Sequence, residues 1–169
     1  MKLNRFVWAA FATLFFVTPA SAAEWWWLTT SHDGSIFYLV DTQSFEKGND
    51  GSVTYWSQSV NSKIGKSQTW ASGKSRWKDT CVGSGTSQRL YLVLFDKDLN
   101  STYQSAAVGL PEVIVPDSIG EIINKFVCNL PEQSRFPSAR RIADVELFTQ
   151  SVRKLAAADD AKTQAHVKH

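Results

Sequence analysis

The chain has 169 residues, 43% of them hydrophobic and 20% charged, with 18 Lys and Arg against 16 Asp and Glu, 2 Cys and 3 His. Lys2 and Arg5 carry the whole of the formal excess of +2, so from residue 23 onward the charges balance at 16 of each sign. No basic run exceeds Arg140-Arg141 or Arg153-Lys154, which excludes nucleic acid as a partner.

The first 22 residues read as a secretory signal: Lys2 and Arg5 precede an apolar run from Phe6 to Val17, then Pro19 and the small residues Ala20-Ser21-Ala22. The run is too short for a membrane span of about 20 apolar residues, and the mature chain is expected to begin at Ala23. No cysteine follows that site to accept a lipid, so the expected product is periplasmic, secreted or at the cell surface, and not a lipoprotein. About 147 residues remain, enough for one domain with its own core.

From residue 25 to 108 the pattern is one of strands broken by turn residues. Strands are expected at 25–30, 35–42, 53–60, 76–82, 88–95 and 102–108. His32-Asp33-Gly34, 47–51, Gly73 and Asp96-Lys97-Asp98-Leu99-Asn100 are expected to separate them. The segment 88–95 is apolar on both sides of its pleat, with Leu90, Leu92 and Leu94 one way and Tyr91, Val93 and Phe95 the other, which predicts a central strand.

Helices are expected only after Pro116. Ser118 and Glu121 have capping-box spacing, and Ile119, Ile122, Ile123, Phe126 and Val127 form one stripe ending at Cys128. A second helix is expected over 138–157, with Val145, Phe148, Val152 and Leu155 as its apolar seam, followed by a polar tail over 158–169. The seam predicts docking on the second sheet face or on another subunit, and the apolar face at Tyr91, Val93 and Phe95 raises a homodimer as the alternative to coverage in cis. A lone pair of cysteines in an oxidising compartment predicts a Cys81–Cys128 disulfide.

Catalytic patterns fail on residue supply. A nucleophilic triad needs a histidine base, and the only histidine of the domain is His32, in a turn. No cofactor or metal is expected: Asp96-x-Asp98-x-Asn100 lacks the glycine and glutamate of a calcium loop, and Gly83-Ser84-Gly85 lacks the third glycine of a dinucleotide loop. The tryptophans are a stronger signal. Consecutive Trp25, Trp26 and Trp27 must point at least one indole away from a one-sided core. Trp26, Lys66, Trp70, Lys74 and Trp77 are the expected protein-binding residues, because Trp is over-represented at the energetic centres of interfaces.

Tyr38-Leu39-Val40-Asp41, then 53–56, Cys81 ahead of the apolar strand, and Ile114-Val115-Pro116-Asp117-Ser118 leading into Val127-Cys128 together resemble the surface-adhesin protein E family. The resemblance spans roughly residues 25–128. It implies an α+β fold over 23–130, a small antiparallel sheet of about six strands with a helix held on one face by the Cys81–Cys128 bond. A C-terminal helical extension over 131–157 lies outside the family pattern, as does the want of a lipid-attachment cysteine. The functional expectation is a non-enzymatic module binding host matrix or serum proteins, such as laminin, vitronectin or plasminogen. The alternative is a periplasmic structural or inhibitor-like domain that meets a bacterial envelope protein. No ligand contact transfers by motif.

Overall fold

A computed structural model describes residues 22–63, 70–83, 85–106, 108–129 and 136–167. Nearly all of the expected signal segment, Lys66, and the side chain of Leu155 lie outside the described residues. The described residues form eight strands and two helices: β1 (Trp25–Thr30), β2 (Ile36–Lys47), β3 (Ser52–Asn61), β4 (Ser72–Thr80), β5 (Thr86–Phe95), β6 (Ser101–Ser105), β7 (Glu112–Val113), α1 (Ile119–Cys128), β8 (Arg140–Ile142) and α2 (Val145–Val167). They build one antiparallel sheet in the order β6-β5-β4-β3-β2-β1-β8, with β7 pairing β5 beyond the end of β6. The α+β class is as expected, with eight strands where the sequence suggests about six.

Several boundaries differ from expectation for local reasons. β2 runs on to Lys47 through a bulge, where the Ser44 hydroxyl accepts the Trp56 N–H at 2.8 Å in place of a ladder carbonyl. Gly73 is inside β4 and not in a connection: a Cβ there would meet Leu94 Cδ2 at 2.9 Å, so glycine serves close packing. β5 is not central, since only β6 and β7 lie outside it. Residues 138–144 are not helical, because Arg140–Ile142 pair with Trp25–Trp27 and cover the outer edge of β1. Asp144 then caps α2, accepting from the backbone N–H groups of Glu146 and Leu147 at 2.9 Å each. That helix continues through 158–167, where the sequence suggests a frayed tail.

The two helices take opposite faces of the sheet. Phe126 and Val127 of α1 pack on Leu28, Val40, Val53 and Tyr55. Val152 of α2 packs on Trp25, Leu39 and Val60, with Trp27 against Phe148 at 6.3 Å between ring centroids. On the face that Tyr91, Val93 and Phe95 share, α2 of the same chain packs on the β1 to β3 part. The three consecutive tryptophans all find packing because both faces are covered: Trp25 and Trp27 turn to α2, and Trp26 turns to Phe126 of α1 at 6.1 Å.

α1 begins as its sequence dictates. Ser118 Oγ accepts from the Glu121 N–H at 3.2 Å, and Glu121 Oε2 accepts from the Asp117 N–H at 3.0 Å, one residue ahead of the usual capping-box partner. At its other end Cys128 is bonded to Cys81, directly after β4, with Cα atoms 5.4 Å apart and a sequence separation of 47. In the chain-entropy account, closing a loop of that length stabilises the fold by about 4 kcal/mol. Replacing both cysteines by alanine is expected to lower the urea unfolding free energy by about 2–5 kcal/mol at pH 7; an unchanged midpoint and slope would show that α1 is held without the bond.

Candidate functional site

Between the N-terminal half of α1 and the sheet is a groove of about 240 Å³. Its floor is set by alternate strand positions, which bring the hydroxyls of Ser57, Ser59, Ser75 and Ser87 to the α1 face beside Tyr38, Tyr55 and Trp77. Trp77 Nε1 donates to Ser57 Oγ at 3.0 Å. Burial raises the Tyr38 phenol above its ordinary value, so it stays protonated as a hydrogen-bond donor. The groove offers neutral hydroxyl chemistry and aromatic surface.

Beneath it Asp79 is 1% exposed. Its carboxylate accepts from Ser87 Oγ at 2.6 Å, Tyr55 Oη at 3.1 Å and Asn124 Nδ2 at 3.3 Å. Asn124 sits on α1 and also donates to Thr80 O, so the helix is tied to β4 by polar contacts next to its covalent bond. Desolvation pushes the Asp79 carboxyl above 3.8 against the pull of the Ser87, Asn124 and Tyr55 hydrogen bonds, and it pushes the Tyr55 phenol well up, with the Asp79 charge adding to it. Three neutral donors hold this carboxylate and no cation pairs with it among the described residues. Also among the described residues, no group of three or more His, Cys, Asp or Glu is placed to hold a metal, and no helix is long and apolar enough to cross a membrane.

The residues expected to bind a protein are not brought onto one surface. Trp26 is half-buried under α1, its Nε1 donating to Glu24 Oε1 at 3.3 Å, so it is no free anchor. Trp77 lines the hydroxyl groove with Arg89 5.8 Å from its ring centroid. Lys74 is on the opposite face, its ammonium 5.8 Å from the Trp25 ring centroid. Trp70 is half-buried just ahead of β4, and Lys66 lies outside the described residues.

The surface that stands out is one the sequence reading leaves unassigned. After β6 the chain runs along the β5 edge through Val108, Leu110, Val113 and Val115, whose exposures are 60%, 85%, 66% and 64%. Tyr103 on β6 adds another exposed ring. Pro111 interrupts the segment and β7 holds it by only two pairs, Thr86 with Val113 and Ser87 with Glu112. The signal was an apolar run, 108–115, too short for a helix and broken by Gly109 and Pro111, which leaves it no core to enter. Comparison with family models, with curated proteins and with solved structures finds no match to this chain.

The raised carboxyl gives a pH dependence of definite sign. A folded-state value above the unfolded one contributes stability below about pH 4, which is lost as pH rises through the folded value. The exposed Asp33 and Asp50 act in the opposite sense: hydrogen bonds from Ser31 and Ser35, and from Lys78 and Ser52, hold them well below 3.8, and their contribution is lost in acid. Comparing Asp79→Asn with the parent cancels those two. The variant's melting temperature is expected to gain by a few degrees on the parent's between about pH 4 and pH 7, measured by scanning calorimetry. A difference independent of pH contradicts the assignment.

Proposed function

We propose that this protein is an exported, non-enzymatic protein-binding module, adhesin-like in its target class of host matrix or serum proteins, and that it engages its partner along the β6–β7 edge. The single observation supporting this is the exposed apolar row of Val108, Leu110, Val113 and Val115. Contiguous apolar surface of this kind is disfavoured on a solitary soluble domain unless something covers it. Its position supports the reading further, since among the described residues β6 has no strand on its outer side and an edge strand offers backbone groups as well as side chains. The resemblance carried by Cys81, Cys128 and the Pro116-Asp117-Ser118 helix start, and the expected signal segment, support export and the adhesin class.

In this reading α1 and α2 are structural: they close the two faces and leave the edge as the contact surface.

Biolayer interferometry of the mature, oxidised protein against laminin, vitronectin and plasminogen tests the reading. At least one is expected to bind saturably, and Leu110→Asp with Val113→Asp is expected to weaken that binding at least tenfold with an unchanged circular dichroism spectrum, since both side chains are exposed. Binding by none of the three, or equal binding by the variant, would overturn it. On intact cells, added protease is expected to cleave the displayed protein; full protection would favour a periplasmic partner.

A further inference from the structure

Of the six asparagines in the chain, only Asn100 has a hydroxyl residue two positions on: Asn100-Ser101-Thr102, with no proline between, is the acceptor pattern for an N-linked glycan. Asp98 stands two residues ahead of it and completes Asp-x-Asn-x-Thr. That is the longer pattern read by single-subunit oligosaccharyltransferases of the bacterial type, in which the acid is met by a cation of the enzyme. Three fixed residue types in five are a sharper signal than the bare tripeptide.

Asn100 closes the turn between β5 and β6, and residues 97–104 are all exposed. Its side-chain amide has one hydrogen bond among the described residues, Nδ2 donating to the Asp96 carboxylate at 3.3 Å, at the surface. Asp98 is paired only with the neighbouring Lys97, an exposed contact of the kind that exchanges with solvent. Thr102 Oγ1 donates to Leu94 O at 3.4 Å, longer than a usual hydroxyl bond, so that hydroxyl is free to turn elsewhere. The ladder is loose at the same place. Leu94 pairs with Tyr103 and Phe95 with Ser101, which leaves Thr102 as the extra residue of a bulge. Among the described residues no strand lies outside β6, so lifting 100–102 into an enzyme breaks pairing on one side only. Leu99 holds φ at 65°, unfavourable for a residue with a side chain, and the turn gives up little by changing shape.

We propose that Asn100 is an acceptor site for an N-linked oligosaccharide, added as one block outside the cytoplasm. In that step Nδ2 attacks the anomeric carbon of an oligosaccharide carried on polyprenyl pyrophosphate. The C–N bond forms as the bond from that carbon to the pyrophosphate oxygen breaks, the pyrophosphate leaves with the electron pair, and the amide gives one proton to a base of the transferase. The site rests on the export reading above, since the lipid-linked donor is presented on the far side of the membrane. It does not compete with the apolar row: β7 is held at Thr86 and Ser87, and the glycan is rooted past Phe95, about 27 Å further along β5. A glycan is bulky and solubilising, and a hairpin tip accepts one without loss of packing.

The full chain is produced in bacteria that carry a single-subunit oligosaccharyltransferase and a polyprenyl-pyrophosphate oligosaccharide of known mass. Separately, the purified, oxidised protein is incubated with the same enzyme and donor, which needs no export. Intact mass and the tryptic peptide 98–125 read the occupancy. In cells the parent is expected to begin at Ala23 and to carry one glycan, on Asn100. Asn100→Gln and Thr102→Ala are expected to carry none, Thr102→Ser and Ser101→Ala to keep it, and Asp98→Ala to fall at least tenfold in occupancy. All four positions are exposed, so an unchanged circular dichroism spectrum is expected throughout. A glycan in the purified arm on a chain whose signal stays uncut in cells would support the acceptor site and count against export alone. Absence of the glycan from the parent in both arms, its retention in Asn100→Gln, or parent-like occupancy in Asp98→Ala would overturn the proposal.

Discussion

The bond between Cys81 and Cys128 is the constraint on which the rest of this architecture leans. α1 has only ten residues, too few to be stable in isolation, and the strand before it, β7, is held to the sheet by two pairs. Anchoring its last residue to the end of β4 sets the helix across β1 to β3, where Phe126 and Val127 are each 1% exposed. Asn124, one turn earlier, is thereby brought to Asp79 and Thr80. The covalent bond, the apolar stripe and the buried carboxylate all act on the same helix, and its N-terminal half closes one side of the hydroxyl groove.

Covering both faces has a consequence for the tryptophans. A sheet with one wet face would have to expose Trp26 or the pair Trp25 and Trp27; here α1 and α2 take one set each. An exposed apolar row lies at the rim, along 108–115, where β7 pairs β5 for only two residues.

Much of this fold was legible in the sequence. Alternation located β1 at its observed limits and most of β2, β3 and β5, and the Ser118 to Glu121 spacing started α1 at the right residue. The cysteine pair predicted the bond that is observed. Gly73 was misread because a glycine that permits close packing looks like a glycine that permits a turn; only the position of Leu94 distinguishes them. β8 was missed because Arg140-Arg141-Ile142 carries no alternation of its own and becomes a strand through the free edge of β1. The five expected binding residues were grouped by composition, while period-two alternation sends Trp77 and Lys74, three residues apart on β4, to opposite faces. The buried bond from Gln58 to Thr149 could not be read at all, since its partners stand 91 residues apart.

The clamp itself is most directly tested by hydrogen exchange with mass spectrometry on the protein before and after reduction. The account predicts that in the oxidised form the peptide spanning residues 119–128 is strongly protected and yields a Cys81–Cys128 linked fragment. Reduction should release that protection while the amides of β2, β3 and β4 keep theirs. Two free thiols in the purified protein, or helix protection that survives reduction unchanged, would contradict it.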